Sequence, residues 1–208
     1  MSRLWSPIAL AWFVLSLAAA TADATINFPS LDGTTDLIGH LARPEGDAPR
    51  PAVVMMHGCS GLNDRKGRIF GLYRAWARAL TVQGYVTLIV DSATPRGLGQ
   101  TCSRGPSAVE PDGWTTNVPL LVLIGEADVW TPFKSCDAFI AAAKARGNPV
   151  ELKSYPGAVH AFDAPNLPRT ELPQYQMRDG SIPVIGTDPE ARKDAFPRVL
   201  DYLKAHLE

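Results

Sequence analysis

PAVVMMHG, residues 51–58, runs from a proline to a histidine and a glycine with no charged side chain before the histidine. Two later stretches read the same way, GYVTLIVD at 84–91 and VPLLVLIG at 118–125, each ending in Asp or Gly. A strand with one wet face alternates apolar and polar residues, whereas a strand covered on both faces is apolar throughout. The three runs therefore predict strands of a mostly parallel sheet sandwiched between helices.

The segments between them supply the helices. Ile69, Tyr73, Trp76 and Leu80 recur at helical spacing, and Gly84 stands where that helix should stop. SCDAFIAAAKARG, residues 135–147, predicts an alanine-rich helix stopped at Gly147, and VELKSY at 150–155 alternates as an outer strand would. A last helix opens on Asp188 as cap with Pro189 in its first turn. It should bury Phe196, Val199, Leu200, Leu203 and Leu207, with Pro197 kinking it or delaying its start. Ahead of all this, TINFPSLDGTTDLIGHLA at 25–42 alternates around Asp32-Gly33, a turn signal, and predicts an antiparallel pair. The fold class is α/β, a three-layer α/β/α sandwich.

At 208 residues the chain fits one domain, since roughly 150 residues per domain is the usual prior. A net charge of -1 offers no basic surface for phosphates, which argues against a nucleic-acid partner. Arg3, the apolar run 7–20 and the small residues Ala20-Thr21-Ala22 predict a signal peptide over residues 1–22, cut before Asp23. The apolar run is shorter than the ~20 residues of a spanning helix, so no stable membrane anchor is expected after signal removal. The mature domain, 23–208, is thus expected to be exported, to the periplasm or beyond. Export permits disulfides, and of Cys59, Cys102 and Cys136 the expected pair is Cys102 with Cys136, one after a strand and one opening the next helix.

In α/β sheets ligands sit beyond the carboxyl ends of the strands, so chemistry is sought there. MMHGCSGL places His57, Gly58, Cys59 and Ser60 in a tight turn. LIGEADVWTP places Asp128 past the third long run, and YPGAVHAFDAP places His160 past the outer strand. A carboxylate on one imidazole nitrogen fixes the tautomer and leaves the other nitrogen free to take a proton. Asp128 and His160 are therefore candidates for two members of a catalytic triad. Asp163 is the rival carboxylate, read as fixing the turn after His160. Gly58 lets the backbone come close, so amide N–H groups of Cys59 or Ser60 could face an oxyanion. Trp114, Trp130 and Phe162 flank these residues and could line a small apolar pocket. His40 and His206 are isolated, and no metal constellation arises.

PAVVMMHGCSGL, YVTLIVDSATPRG, PLLVLIGEADVWTP and YPGAVHAFDAP, in this order, resemble the dienelactone hydrolase branch of the α/β-hydrolases. The resemblance covers about residues 26–106 and 114–206. It implies Asp128 as triad acid, His160 as triad base and the turn at Cys59 as oxyanion donor. It also implies hydrolysis of a small ester or lactone with no metal or organic cofactor.

One part of that pattern is missing. The family carries its nucleophile between the second and third long runs, on a strand-to-helix turn of the G-x-[SC]-x-G type. Here the chain passes through SRGPSAVEPDGWTTNV, residues 103–118, which is too short for strand, elbow, helix and next strand. The sandwich is thus expected to be shortened by loss of central strand–helix units, with the strand at 51–58 pairing directly with that at 118–125. Ser60, in GCSGL, is the nucleophile candidate that remains, since Leu62 stands where the elbow needs its last glycine. Cys59 has a similar claim, and Cys102 and Ser103 lesser ones. The alternative reading is an inactive exported small-molecule-binding module or truncated pseudoenzyme.

Overall fold

The computed structural model describes residues 21–98, 102 and 115–207, with the backbone alone for 21–23. Most of the expected signal peptide, together with Ser103 and Trp114, lies outside these residues. Strand β1 (Thr21–Pro29) and strand β2 (Asp36–Arg43) form the predicted antiparallel pair. The turn between them is held by Asp32, whose carboxylate accepts from the Ser30 hydroxyl at 2.6 Å and from the Thr34 amide and hydroxyl. Gly33 there takes φ +67°, a left-handed conformation that costs glycine little.

The first two apolar runs become β3 (Ala52–Met56) and β4 (Val86–Asp91), parallel and in register from Ala52 opposite Val86 to Met56 opposite Val90. β4 also pairs antiparallel with β2, giving a four-stranded sheet in the order β1-β2-β4-β3. Helix α1 (Gly71–Val82) connects β3 to β4 and covers one face, where Leu62, Ala77 and Ile89 pack with Met55, Ile69 and Tyr73. Its end is set by Gly84 at φ +99°, as the spacing predicts.

The third run becomes β5 (Leu120–Gly125), parallel to β6 (Val150–Tyr155). Helix α2 (Phe133–Ala145) lies between them in sequence, and α3 (Pro189–Leu207) closes the chain. Side chains of a strand alternate between faces, so their partners show where each helix lies. Leu120, Val122, Val150 and Leu152 pack with Ile140 and Ala143 of α2. Leu123 and Tyr155, at the opposite parity, pack with Ala191 and Ala195 of α3. The two helices therefore cover opposite faces of β5 and β6, the three layers expected. Two short strands, β7 (Thr170–Glu171) and β8 (Val184–Ile185), form a small antiparallel ribbon near the site.

Three expectations are corrected. β3 does not pair with β5: β3 pairs with β4, β5 pairs with β6, and the sheet is split between them. The halves are joined instead by helix contacts, the Trp76 ring of α1 stacking on Phe196 of α3 with centroids 3.8 Å apart. On the face of β3 opposite α1, Val54 and Met56 are 60% and 59% exposed. The disulfide is Cys59–Cys102, and Cys136 is free, half-buried against the α2 core. Cys136 opens a helix whose inner face packs on β5 and β6, away from the turn that Cys102 reaches. In α3, Pro197 lies inside a helix that begins at Pro189. Its firmly buried residues are Ala191 and Ala195, Val199, Leu200 and Leu203 are only partly buried, and Leu207 at its end is exposed.

Candidate active site

Asp128 leaves the carboxyl end of β5 and His160 follows β6, so parallel pairing of the two strands brings their loops together. Gly125 makes the close approach possible, since a Cβ there would collide with the Ala158 carbonyl. The Ala127 amide then donates to that carbonyl at 3.0 Å and the Glu126 amide to Tyr155 O at 3.0 Å, locking one loop onto the other. Behind His160, its own amide donates to Val184 O of β8 and its carbonyl accepts from Gly186 N.

The result is a hydrogen bond of 2.8 Å between His160 Nδ1 and Asp128 Oδ2. Asp128 is 7% exposed and also accepts from the amides of Trp130 at 2.8 Å and Thr131 at 3.0 Å and from the Thr131 hydroxyl. Burial pushes its pKa upward, but the bonds from His160 and Thr131 outweigh that and hold the carboxyl below its ordinary 3.8. An ionised Asp128 can only accept, so Nδ1 carries the hydrogen and Nε2 holds the lone pair. Nε2 has no hydrogen-bond partner among the described residues, and the His160 side chain is 38% exposed. The arrangement thus leaves Nε2 open and able to accept a proton.

A cavity of about 420 Å³ adjoins it, running along β5 from Val122 to Gly125 and bounded by Leu72 of α1. His160, Phe162 and Cys136 line it too. Among the described residues β5 pairs with β6 alone. Phe162 is largely core, 7% exposed and packed against Tyr155 at 4.9 Å. Trp130 stands over His160, ring centroids 5.1 Å apart, and also touches Tyr175. Asp163 lines the same cavity but is engaged elsewhere. It accepts from Trp76 Nε1 at 2.8 Å, so it ties α1 to the histidine loop.

The turn after β3 does not join this pair. Gly61 takes φ +80° and its amide closes the turn onto Gly58 O at 3.1 Å. The Gly58 amide donates to the Tyr73 hydroxyl at 2.9 Å, and a Cβ at Gly58 would meet that hydroxyl only at 3.9 Å. No close backbone approach therefore requires glycine at position 58. The Ser60 hydroxyl lies 3.5 Å from Cys102 Sγ and makes no hydrogen bond to His160. Cys59 is consumed in the disulfide, which removes its claim as a free thiol. Of the expected site residues, Asp128, His160 and Trp130 are brought together, with Phe162 behind them. Gly58, Cys59, Ser60 and Cys102 form a separate cluster.

Sequence reasoning missed Thr131, whose hydroxyl and amide both bind Asp128. Its signal was a threonine three residues past the aspartate, the spacing of a side-chain turn. It also missed the bond between His57 and Ser92 at the ends of β3 and β4. Among the described residues no cluster of three or more His, Cys, Asp or Glu could hold a metal ion.

The arrangement has relatives. Residues 105–207 match the model of the dienelactone hydrolase family. Among solved structures, the chain resembles a dienelactone hydrolase-like promiscuous phosphotriesterase from metagenomic libraries at 17% identity and TM-score 0.64, covering 91% of this chain and 100% of that one. It resembles a putative dienelactone hydrolase of Klebsiella pneumoniae subsp. pneumoniae at 17% identity and TM-score 0.55, covering 88% and 99%. An esterase of Thermogutta terrifontis in its propionate-bound form follows at 14% identity and TM-score 0.56, covering 89% and 94%. No curated protein sequence matches. These likenesses show a shortened α/β-hydrolase-like fold, and through residues 105–207 the chain belongs to the dienelactone hydrolase family.

Proposed function

We propose that the protein hydrolyses small esters or lactones, with Asp128 and His160 as the acid–base pair. The observation that carries this reading is the 2.8 Å bond from His160 Nδ1 to a buried carboxylate, with Nε2 left open beside an apolar cavity. Nε2 would take a proton from the attacking oxygen and return it to the leaving alkoxide, while Asp128 supports the imidazolium. The family match and the fold neighbours support the hydrolase class. The Cys59–Cys102 disulfide supports an oxidising compartment, and we place the mature chain, from Asp23, outside the cytoplasm.

A second reading is a binding module that keeps the pocket without turnover. It is favoured by one observation: no serine or cysteine among the described residues hydrogen-bonds His160, and Ser60 faces Cys102 instead. Hydrolysis of a short-chain p-nitrophenyl ester by the chain from Asp23, beside His160→Ala and Ser60→Ala, separates the two. The enzyme reading expects the rate to fall about 100-fold or more in His160→Ala, the usual scale of general-base catalysis. If Ser60→Ala falls with it, the GCSGL turn supplies the nucleophile. If Ser60→Ala keeps its rate, water activated by His160 does. A folded protein no faster than buffer leaves the binding module.

A further inference from the structure

A serine–histidine pair lies outside the Asp128–His160 site. β3 and β4 are parallel neighbours, and the residues just beyond their last paired positions, His57 and Ser92, meet at the carboxyl edge of the sheet. The Ser92 hydroxyl is 3.1 Å from His57 Nε2, and the Ser92 amide reaches the same nitrogen at 3.3 Å. On the other side of the ring, Nδ1 lies 2.8 Å from Gly58 O.

These contacts admit one tautomer. An amide N–H can only donate, so Nε2 must accept; a carbonyl oxygen can only accept, so Nδ1 must carry the hydrogen. The Ser92 hydroxyl, bonded to an accepting Nε2, is therefore the donor. That is the polarity of a nucleophile held on its base, with a backbone carbonyl in the orienting place usually taken by a carboxylate. A carboxylate is also at hand. Asp91 is 1% exposed and held by the amides of Ala93 and Thr94 and by Asn63 Nδ2. It lies close enough to His57 for the two charges to interact, and burial, which raises its pKa, is outweighed by the bonds at Thr94 and Ala93 and by that interaction, which hold its carboxyl below the ordinary value.

We propose that Ser92 and His57 form a nucleophilic site, independent of Asp128 and His160, that takes the acyl or phosphonyl group of small activated esters onto the Ser92 hydroxyl. With an ester, the Ser92 O–C bond forms as its proton passes to His57 Nε2. The bond to the leaving alkoxide then breaks and that proton returns to it. Water, deprotonated by His57, releases the acid and restores Ser92. With a fluorophosphonate, the O–P bond forms, the P–F bond breaks and fluoride leaves with the serine proton taken up by His57. Groups with good leaving ability suit the site, since they ask least of an oxyanion donor.

The test is diisopropyl fluorophosphate applied to the full mature chain, with the adduct located by peptide mass spectrometry. The unaltered protein is expected to be labelled on Ser92. Labelling there should slow at least tenfold in His57→Gln, which keeps a polar side chain but cannot take the proton, and stay unchanged in His160→Ala and Ser60→Ala. Replacing Ser92 by alanine should abolish the adduct at that position, which supports the same assignment. No adduct on the folded unaltered chain overturns the proposal, whether or not His57→Gln folds. So does an adduct confined to Ser60, or Ser92 labelling as fast in a folded His57→Gln. The His160 reading is decided separately, by the loss of ester turnover in His160→Ala.

Discussion

The indole N–H of Trp76 donates to Asp163 Oδ2 at 2.8 Å while its ring stacks on Phe196 at 3.8 Å, so one side chain of α1 is tied to both the histidine loop and α3. This side chain bridges two halves whose strands do not pair. Trp76→Phe keeps a stacking ring and leaves a carboxylate without its donor, a change that costs about 1–3 kcal/mol. Trp76→Ala also removes the ring, and large-to-small losses of this kind run to about 3–5 kcal/mol. Urea unfolding followed by far-UV circular dichroism should show a lowered midpoint for the first variant. For the second it should show two separate transitions, one per half. A single transition at an unchanged midpoint in Trp76→Ala would mean that other contacts unite the halves.

The Asp128 carboxylate makes stability depend on acid in a defined direction. Burial raises its pKa, but the bonds from His160 and Thr131 win and its folded value lies below the ordinary 3.8. Asp91 behaves alike, burial being outweighed by the bonds at Thr94 and Ala93 and by the nearby His57. A group depressed on folding contributes stability that is complete above its unfolded pKa and is lost as pH falls through the folded one. The urea midpoint should thus hold steady in mildly acidic buffer and drop below pH 3.8. Asp128→Asn should start lower, by about 1–3 kcal/mol for the weakened charged bonds, and respond less to acid. An identical acid response in Asp128→Asn would remove this carboxylate from the account.

Much of this was readable in the residues. Runs apolar throughout marked three strands, although one face of β3 is left exposed at Val54 and Met56, and Asp188, Gly84 and Gly147 mark helix ends by local chemistry. The meeting of Asp128 and His160 followed because each stands just past a strand of one parallel pair. What escaped depends on contacts across the chain. Cys59 and Cys102 are 43 residues apart and Ser92 and His57 are 35 apart. No periodicity reports which loop folds over which. The direct pairing of β3 with β5 looked necessary because exposed strand edges are costly, yet the two strands lie in separate sheets and Trp76 of α1 meets Phe196 of α3 instead.

The disulfide gives a redox prediction. It closes a long loop between the turn after β3 and the segment after β4, and crosslinks of this kind contribute about 2–4 kcal/mol. Dithiothreitol should lower the urea midpoint accordingly, and Cys102→Ser should start low and ignore the reductant. Cys136→Ala should keep the full redox response, since that thiol is unpaired. A redox response lost in both Cys136→Ala and Cys102→Ser but kept in Cys59→Ser would restore the Cys102–Cys136 pairing expected from the sequence.

The uncovered strand β3 predicts how the protein behaves in solution. β3 pairs only with β4 among the described residues, so its other flank presents unpaired N–H and C=O groups. On the face away from α1, Val54 and Met56 are more than half exposed, and Val118 just ahead of β5 is 64% exposed. Unpaired edge and apolar face together form a template for another strand, which natural edges usually block with charge. The unaltered chain should self-associate as its concentration rises, seen by light scattering on a size-exclusion column. Val54→Lys with Met56→Glu places opposite charges on that face without touching the α1 side, where Met55 packs. It should shift the population to monomer while leaving the thermal midpoint within a few degrees, because neither side chain is buried to begin with. Persistent association in the double variant would place the sticky surface elsewhere, with Val118 and the free flank of β5 the next to be charged.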